Sequence, residues 1–332
     1  MDAHVTGGNA PDSPDAPGRV TSGRVTRLDR GWSTVLLADG TTVRVRNIGE
    51  EVAVGDRVEI DAAGERIESV HERRSALTRR NSFEGSRAER QVIASNIDTV
   101  FIVHSLAAET NERRLERELV LAFDSGADPG LVLTKTDAVD APRIAETRER
   151  LARIVLDVPV ITVSARTGEG MDDLRALVGP GSTVAFIGAS GVGKSTLVNA
   201  LVGSEVQRTG EVREDDQRGR HTTVAAELVP LPGGAWLLDT PGLRAVTLWT
   251  SERGIERAFA EIFAVAENCR FRDCKHEDEP DCAVREAIGS GTLRPERLTS
   301  MRRLVAEEAG VEEELVHRER QSSRRGFRRP RR

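Results

Sequence analysis

Residues 19 to about 70 alternate apolar and polar positions, as half-buried β-strands do. The pattern occurs in the segments GRVTRLD, TVLLAD, TTVRVR and RVEIDAA. Turn signals separate them at Asp29–Arg30–Gly31, Asp39–Gly40, Gly49 and Gly55–Asp56, and Asp-Gly is a strong hairpin signal. This spacing predicts a small closed barrel of the oligonucleotide-binding type over residues 19–72. Another small barrel that serves as a docking module fits the periodicity equally well.

Residues 91–250 alternate buried-strand patterns with helical patterns. Helical spacing is found in NERRLERELVLAF, in residues 141–156 and in residues 170–178. The short apolar strands are IDTVFIVHSL, GLVLTK, PVITVSA, STVAFIG and AWLLD. This alternation predicts an α/β domain with a mainly parallel sheet that is covered on both faces.

The other segments complete a multidomain organisation. Residues 251–316 have helical patterns on both sides of a cysteine cluster, so a C-terminal helical domain is expected. Residues 1–18 are rich in Asp, Pro and Gly and are expected to form a disordered arm. Residues 73–90 form a basic connector with six arginines, which either tracks phosphate or is a solvated linker. A basic tail occupies residues 317–332.

Composition narrows the class of protein. The chain has 332 residues, of which 38% are hydrophobic and 31% charged, which excludes a fibrous or wholly disordered protein. No apolar run approaches the ~18 residues that cross a bilayer, and the N-terminus lacks the features of a secretory signal. We therefore expect a cytoplasmic protein without a membrane partner. The charged surface and the absence of coiled-coil heptads predict a monomer.

The net charge is unevenly distributed along the chain. Residues 317–332 carry eight Arg and one Glu, a charge of +7, so the rest of the chain carries −13 of the total of −6. A basic tail on an acidic body favours contact with a polyanion such as nucleic acid. A solvated tail that only improves solubility is the alternative.

The strongest chemical signal is a phosphate-binding loop. Gly188-x-x-x-x-Gly193-Lys194-Ser195 follows a strand and precedes an apolar helix, the context that this motif requires. Its glycines let backbone N–H groups turn toward phosphates, Lys194 neutralises the β- and γ-phosphates, and Ser195 offers its hydroxyl to Mg²⁺. The predicted nucleotide contacts of this loop are Gly188, Ala189, Ser190, Gly191, Val192, Gly193, Lys194, Ser195 and Thr196.

A second motif, downstream of the phosphate loop, supplies further groups for Mg²⁺ and the γ-phosphate. Trp236–Gly242 reads as a strand that ends in Asp-x-x-Gly. Asp239 is expected to hold Mg²⁺ through water, and the Gly242 amide to sense the γ-phosphate. Between the two motifs lies Arg220-His221-Thr222-Thr223. Thr223 is the favoured residue to complete the Mg²⁺ shell with Ser195 and Asp239, and Thr222 remains an alternative.

Two motifs upstream of the phosphate loop are expected to bind the nucleotide base. Thr134-Lys135-Thr136-Asp137 is similar to the guanine motif Asn-Lys-x-Asp. The Asp137 carboxylate matches the N1–H and 2-amino donors of guanine, which adenine lacks. Thr replaces Asn at position 134, so any contact of that amide is lost. Ser164-Ala165-Arg166 ends the next strand and resembles a second base-contacting loop, with Ser164 and Ala165 as the predicted contacts.

The order of these motifs is unusual. The guanine motifs precede the phosphate loop, which precedes Thr223 and Asp239, whereas most GTPases have the opposite order. A circular permutation explains this order, because domain termini often lie close together at the surface. The chain then leaves the GTPase domain just after Gly242. We therefore expect the C-terminal part to respond to the difference between GTP and GDP.

The cysteine cluster predicts a metal site. Cys269-x4-Cys274-x-His276-x5-Cys282 provides three thiolates and one imidazole within 14 residues. This set of ligands favours one structural, tetrahedral Zn²⁺. All three cysteines of the chain belong to it, and an odd number excludes a closed disulfide framework.

Together these features resemble a known family. The permuted order, GASGVGKST, RHTT, DTPG, the lead-in QVIASNIDTV and CRFRDCKHEDEPDC are similar to the circularly permuted, small-ribosomal-subunit-dependent GTPases of bacteria, the ribosome-small-subunit-dependent GTPase A family. The resemblance covers about residues 20–310. It implies an oligonucleotide-binding barrel, a permuted GTPase domain and a zinc-binding helical domain. It also implies GTP hydrolysis, stimulated by the small ribosomal subunit, late in the maturation of that subunit, with its rRNA as a partner.

The sequence lacks a residue that many GTPases use for hydrolysis. Leu243 stands where many GTPases carry a Gln that orients the attacking water, so slow intrinsic hydrolysis is expected. His221 is the candidate within the chain to order the water, beside Lys194 and Gly242, and the ribosomal partner is the other source. Three other functions stay open: a P-loop ATPase or kinase, a GTP-binding module without useful turnover, and a GTPase that acts on another assembly.

Overall fold

The structure is a computed structural model that describes residues 21–47, 51–81, 89–203, 226–239 and 252–326. For residues 79–81, 89–90 and 311–326 it describes the backbone alone. The strands are β1 (Thr21–Asp29), β2 (Trp32–Leu37), β3 (Thr42–Arg46), β4 (Arg57–Ile60), β5 (Ile67–Val70), β6 (Ala76–Asn81), β7 (Glu89–Ser95), β8 (Thr99–Ser105), β9 (Asp128–Thr134), β10 (Val160–Val163), β11 (Thr183–Ile187), β12 (Glu227–Pro230) and β13 (Trp236–Asp239). The helices are α1 (Glu112–Asp124), α2 (Ala141–Ala152), α3 (Met171–Ala176), α4 (Lys194–Val202), α5 (Glu252–Ala258), α6 (Ala260–Ala266), α7 (Ala283–Gly289) and α8 (Pro295–Gly326).

The first five strands form the small barrel that the alternating pattern predicts. Strand β1 pairs antiparallel with β2 and β4, β2 with β3, and β4 with β5. A bridge between Arg46 and Arg66 joins the end of β3 to the start of β5 and closes the ring. The inward positions of these strands form a separate apolar core of Val25, Val35, Val45, Val58, Ile60 and Ile67.

The second domain is built on a mainly parallel sheet with the strand order β10-β9-β8-β11-β13-β12. All of its pairs are parallel except β12–β13 at the edge. One face packs against α1, α2 and α5, and the other against α3 and α4, with a separate apolar core on each side. Asn111 and Asp140 cap α1 and α2 by accepting hydrogen bonds from main-chain N–H groups. The expected α/β architecture is therefore present.

Two segments have more regular structure than their composition suggests. Residues 73–90, expected to form a connector, contain strand β6 and the start of β7, which pair as an antiparallel hairpin. The alternation of Ala76, Leu77 and Thr78 before the arginines allows this pairing, since Leu77 is buried. The basic tail is also partly helical, because the α8 backbone continues to Gly326. Helix-favouring Glu, Arg and Gln make up most of residues 317–326, and no Pro interrupts them.

The barrel and the α/β domain share one continuous sheet. Strand β1 of the barrel pairs antiparallel with β12, with Arg27 opposite Glu227. Beside this junction, the Arg24 guanidinium donates a hydrogen bond to Thr183 Oγ1 at 2.5 Å and lies 5.9 Å from the centre of the Trp236 ring. Burial, and then the charge of Arg57, lower the pKa of Arg24 to about 10. The junction therefore places a half-buried cation against the strand that carries Asp239.

None of the helices in the described part of the chain combines the length and the apolar composition that a membrane span requires.

Candidate functional site

The predicted motifs converge at one edge of the parallel sheet. Ser105 of β8 and Val163 of β10 both lie opposite Thr134 at the end of β9. On the other side of β8, Ile102 pairs with Ile187, which immediately precedes the phosphate loop. Since the carboxyl ends of parallel strands meet at the same edge, the guanine motif and the phosphate loop are adjacent although 50 residues and more separate them in sequence.

The phosphate loop has the backbone geometry that only glycine adopts easily. Gly188, Gly191 and Gly193 have φ angles of +142°, +76° and +102°. A Cβ at Gly188 would overlap the carbonyl oxygen of Val103 on the neighbouring strand. Gly193 is the N-cap of α4, so the free N–H groups of the first turn of that helix face the loop. The loop is thus shaped to present backbone donors to an anion.

Side-chain donors satisfy the carbonyl groups of the loop. Lys194 Nζ donates to the oxygens of Gly188 at 2.8 Å and Ala189 at 2.6 Å. Lys135 Nζ donates to Gly191 O at 2.9 Å, and the Thr134 hydroxyl lies 2.5 Å from Val192 O. Four carbonyl groups of the loop therefore have side-chain partners.

The Asp137 carboxylate is held by two side chains of the loop that follows β10. The Ser164 hydroxyl donates to its Oδ1 at 2.6 Å, and Arg166 forms an ion pair with its Oδ2 at 2.5 Å. The Ser164 hydrogen bond and the Arg166 charge hold the pKa of Asp137 below its usual range. The carboxylate is therefore ionised near neutral pH and acts as an acceptor, which is the form that a guanine edge requires.

The other predicted residues at this edge divide into two groups. Ser195 lies in the first turn of α4, and the register of Ala185 with Leu238 places Asp239 beside the end of β11. The second group lies outside the described residues: His221, Thr222, Thr223, Gly242 and Leu243. The predicted Mg²⁺ ligands Ser195 and Asp239 thus lie at the same edge of the sheet. The predictions for the second group stay predictions.

Sequence reasoning missed two participants in this site. Arg166 was recognised in the strand-end tripeptide but not as a residue that pairs with Asp137. Glu169 accepts a hydrogen bond from Thr136 Oγ1 at 2.8 Å and so ties the guanine motif to the loop after β10. Thr136 is buried, and its hydroxyl is used by this contact. The acidic and basic residues of SARTGEG were the available signal.

The four predicted zinc ligands lie together. Their ligand atoms are all within 4.8 Å of one another. Cys269 Sγ lies 3.9 Å from Cys282 Sγ, and His276 Nδ1 lies 3.7 Å and 3.5 Å from these two sulfurs. A tetrahedral Zn²⁺ with its usual bond lengths separates two sulfurs by about 3.8 Å and a sulfur from a nitrogen by about 3.6 Å. The residues therefore fit a zinc ion.

The surroundings of His276 favour the neutral form of its ring, which is the form that binds a metal. Burial, and then the charge of Arg302, lower the pKa of His276, which leaves its imidazole neutral at neutral pH. The Glu279 carboxylate accepts hydrogen bonds from the N–H groups of Lys275 at 2.8 Å and Glu277 at 2.7 Å. These bonds fix the turn that contains His276, whose φ is +62°. The loop between α6 and α7 thus carries a preformed ligand set.

Comparison with known proteins identifies the family. Residues 70–249 match the family model described as RsgA GTPase. The chain belongs to the RsgA GTPase family. It is therefore a GTP hydrolase, and the resemblance recognised from the sequence is confirmed.

Relatives and solved structures agree with this assignment. The chain is 41% identical over 294 residues to "Small ribosomal subunit biogenesis GTPase RsgA" of Methanosarcina acetivorans, with 87% of this chain and 79% of the relative covered. It is 43% identical over 304 residues to the protein of the same name from Streptomyces coelicolor, with 89% and 82% covered. The structure of YjeQ from Thermotoga maritima matches with a TM-score of 0.67 and 28% identity, over 88% of this chain and 99% of that one. YloQ, described as a circularly permuted GTPase, matches with a TM-score of 0.66 at 22% identity, over 88% and 96%, and supports the fold alone.

Proposed function

We propose that this GTPase binds the small ribosomal subunit and hydrolyses GTP to GDP and phosphate during the late maturation of that subunit. The observation that carries the proposal is the set of relatives named small ribosomal subunit biogenesis GTPase, which are 41–45% identical to this chain and cover most of it. The coincidence of the phosphate loop, the guanine motif and the Cys3His cluster in one structure supports it.

In this proposal the guanine base lies against Asp137 and the stem of Lys135. The phosphates lie in the cradle of residues 188–196, where backbone N–H groups and Lys194 neutralise their charge. Ser195, and Asp239 through water, would hold Mg²⁺, with Thr223 as the third protein group. The ion draws charge from the β- and γ-phosphates when it is bound. Ser164 and Ala165, in the loop that follows β10, are the proposed contacts of the second base-binding loop.

Hydrolysis is proposed to depend on groups beyond the described residues. Leu243 cannot orient a water molecule, so the intrinsic rate is low and stimulation by the small subunit supplies the difference. His221 is the proposed residue of this chain that orders the water, and the Gly242 amide senses the γ-phosphate.

The zinc site and the helical domain are proposed to transmit the nucleotide state. Helix α5 begins after the segment that contains Gly242 and packs directly on α1. Gly254 permits this approach, because a Cβ there would lie 2.7 Å from Val120 O and 2.9 Å from Asp124 Cβ. Any displacement of the segment that contains Gly242 therefore reaches a helix that is fixed to the GTPase domain.

A buried ion-pair network holds the helical domain to α1. Arg297 of α8 donates to Glu261 Oε1 at 2.7 Å and to Ala258 O at 2.7 Å, and it lies 3.4 Å from Glu116 Oε1. Arg303 reaches the other oxygen of Glu116 at 3.3 Å. Because Arg297 and Glu116 are both 5% exposed, water does not screen this contact. The network supports coupling between the zinc-binding domain and the GTPase domain.

The barrel offers a surface for rRNA. Trp32 of β2 has the guanidinium groups of Arg44 and Arg46 each 5.0 Å from the centre of its ring. Both arginines are exposed. An aromatic ring with two cations suits bases and phosphates, and small barrels of this type bind nucleic acid on the face of their second and third strands. This contact supports RNA as the partner of an otherwise acidic chain.

Co-sedimentation with purified small ribosomal subunits tests the proposal. We expect binding with a non-hydrolysable GTP analogue, weaker binding with GDP, and faster phosphate release from GTP when subunits are present. Large ribosomal subunits serve as the matched control and should give neither effect. Absence of both binding and stimulation would refute the role on the small subunit and leave the GTPase assignment intact.

A variant of the barrel that lacks two positive charges measures how much the barrel contributes to subunit binding. Replacing both Arg44 and Arg46 by Gln should weaken binding to subunits and reduce the salt dependence of binding, because fewer phosphate contacts release fewer counterions. The affinity for GDP should not change, since these residues lie on the barrel and not at the nucleotide site. Replacement of the exposed Arg153 by Gln is the control and should change neither quantity.

A further inference from the structure

A groove lies between the GTPase domain and the helical domain, and its volume is about 750 Å³. That volume is in the range of ligand pockets. Thr99 at the start of β8, Asp128 at the start of β9 and Pro159 just before β10 all line it. Because these strands are parallel, their starts lie at the edge of the sheet opposite to the phosphate loop and the guanine motif. The groove is therefore separate from the nucleotide site.

Exposed apolar side chains from both domains line this groove. Leu156 lies in the loop between α2 and β10, Leu177 follows α3, and Ala260 and Ala264 belong to α6. Leu156 and Leu177 are 47% and 41% exposed, and they are two of the four large hydrophobic side chains that are exposed in the described part of the chain. Exposed apolar side chains that share one concave surface mark a binding site, whereas scattered ones do not.

The charged groups of the groove are mainly acidic. Asp128 and Asp157 are exposed, and neither carboxylate forms an ion pair with a described residue. The Glu261 carboxylate is already held by the buried ion-pair network of α8. Arg257 also lines the groove, but its guanidinium is stacked 4.6 Å from the centre of the Phe123 ring. The two carboxylates without a partner therefore favour a ligand with positive charge.

This combination of surfaces suits a basic peptide better than a nucleic acid. The carboxylates of Asp128 and Asp157 repel phosphate groups, and aliphatic side chains such as Leu156 do not provide the aromatic surface on which bases stack. A peptide can place an apolar side chain in the groove and its own cations beside the carboxylates.

We propose that the groove binds a short basic segment of a partner protein. An apolar side chain of that segment lies against Leu156 and Leu177, and neighbouring Lys or Arg side chains meet Asp128 and Asp157. Because Ala260 and Ala264 of α6 also line the groove, the bound segment contacts both domains. Neither GTP binding nor a role on the small subunit is required for this contact.

Selection from a phage library of short random peptides, on the full chain, tests the proposal. Selected peptides are synthesised and titrated by fluorescence anisotropy against the wild type, Leu156→Ser and the double variant Asp128→Asn/Asp157→Asn. Asn tolerates the φ of +58° at position 157. Val305→Ser and Asp173→Asn, both exposed and outside the groove, are the matched controls. Thermal unfolding and GDP titration show whether each variant is folded.

We expect the selected peptides to share an apolar residue next to Lys or Arg. Leu156→Ser should weaken their binding about tenfold, because one buried apolar contact is lost. The double Asn variant should weaken binding about fivefold at low salt and less at high salt, since salt screens the lost charges. Both controls should bind within about twofold of the wild type.

Three results would overturn the proposal. The first is that no peptide is enriched, or that the enriched peptides lack positive charge. The second is equal affinity of the wild type and folded Leu156→Ser; if Leu156→Ser does not fold, Leu177→Ser takes its place with the same expected loss. The third comes from sedimentation of the chain alone: a wild-type dimer that Leu156→Ser converts to a monomer would assign the groove to a second copy. None of these results would affect the proposed role on the small subunit, because that role is tested without the peptides.

Discussion

Ser164 Oγ donates a 2.6 Å hydrogen bond to Asp137 Oδ1, across 27 positions of sequence. This contact joins the ends of β9 and β10 and orients the carboxylate that we propose binds the guanine base. Because the hydrogen bond and the nearby Arg166 favour the charged form, the pKa of Asp137 lies below its usual range. Any contribution of this carboxylate to stability is present above the pKa of an ordinary Asp and is lost as the pH falls through the lowered value.

Replacement of Ser164 by Ala should therefore raise the pKa of Asp137 toward the usual value of an Asp. The titration of the Asp137 side-chain carboxyl carbon, followed by NMR in wild type and variant, measures the change. Thr167→Ala, in the same loop, is the control and should leave this titration unchanged. An identical Asp137 titration in Ser164→Ala and wild type would contradict the assigned cause.

Because Gly188 lies close to Val103, adding a single methyl group at Gly188 should strongly reduce stability and GDP binding. In Gly188→Ala the new Cβ overlaps the Val103 carbonyl oxygen, and the φ of +142° disfavours any other residue. We expect a loss of more than about 2 kcal/mol in the free energy of unfolding and no measurable GDP affinity.

Gly179 provides the matched control for this substitution. A Cβ at Gly179 meets no atom within 4 Å and its φ is not positive, so Gly179→Ala should change stability by less than about 0.5 kcal/mol. Urea unfolding and GDP titration check both variants. Normal GDP binding by Gly188→Ala would show that the strand-to-loop contact is not required.

The buried ion pairs of Arg297 should contribute more to stability than exposed ion pairs of the same helix. Arg297→Met leaves the buried carboxylate of Glu116 with Arg303 alone and removes the partner of Glu261, so we expect a loss of about 3 kcal/mol in unfolding free energy. The same variant should weaken the coupling of the helical domain to nucleotide, seen as equal affinity for the small subunit with GDP and with the GTP analogue.

Arg294, three residues earlier, is the control for the network. It forms a pair with Glu296 at 3.7 Å and is 44% exposed, so Arg294→Met should cost less than about 1 kcal/mol. Denaturant titration of both variants compares them directly. A similar small cost at both positions would show that the buried network does not hold the domains together.

Zinc removal should unfold the C-terminal loop and leave the GTPase domain folded. We expect one zinc ion per chain by atomic absorption and its loss in Cys282→Ser, because Cys282 is a predicted ligand and is 6% exposed. Increased hydrogen exchange between residues 269 and 282 should follow, since the metal supplies much of the folding energy of such loops. Ser290→Ala, on the exposed surface after α7, should retain zinc. A full complement of zinc in Cys282→Ser would remove that residue from the site.

Local patterns explain which features could be predicted from the sequence. The phosphate loop, the strand ends with Asp137 and Ser164, and the Cys3His set each depend on spacing within a short segment. Strand alternation likewise predicts the barrel, whose inward valines form its core. These patterns are visible in the sequence because backbone geometry and ligand geometry restrict which residue types can occur at neighbouring positions.

Contacts between distant segments could not be predicted in this way. Arg297 and Glu116 are separated by 181 positions, and Thr134 and Val192 by 58. The pairing of β1 with β12 joins two domains through edge strands whose own sequences do not specify a partner. The β6–β7 hairpin was not predicted, because the many arginines of this segment are typical of a solvated linker. In each case tertiary packing selects one arrangement among several that the sequence allows.

We propose that Asp137 selects guanine, and the nucleotide specificity of the site depends on this role. Titration of the wild type and of Asp137→Asn with GDP, ADP and XDP tests it most directly, because Asn replaces an acceptor with a group that can donate to the 2-oxo group of xanthine. We expect a strong preference of the wild type for GDP over ADP, and a shift of Asp137→Asn from GDP toward XDP. Equal affinity of the wild type for ADP and GDP, or an unchanged GDP preference in Asp137→Asn, would contradict it.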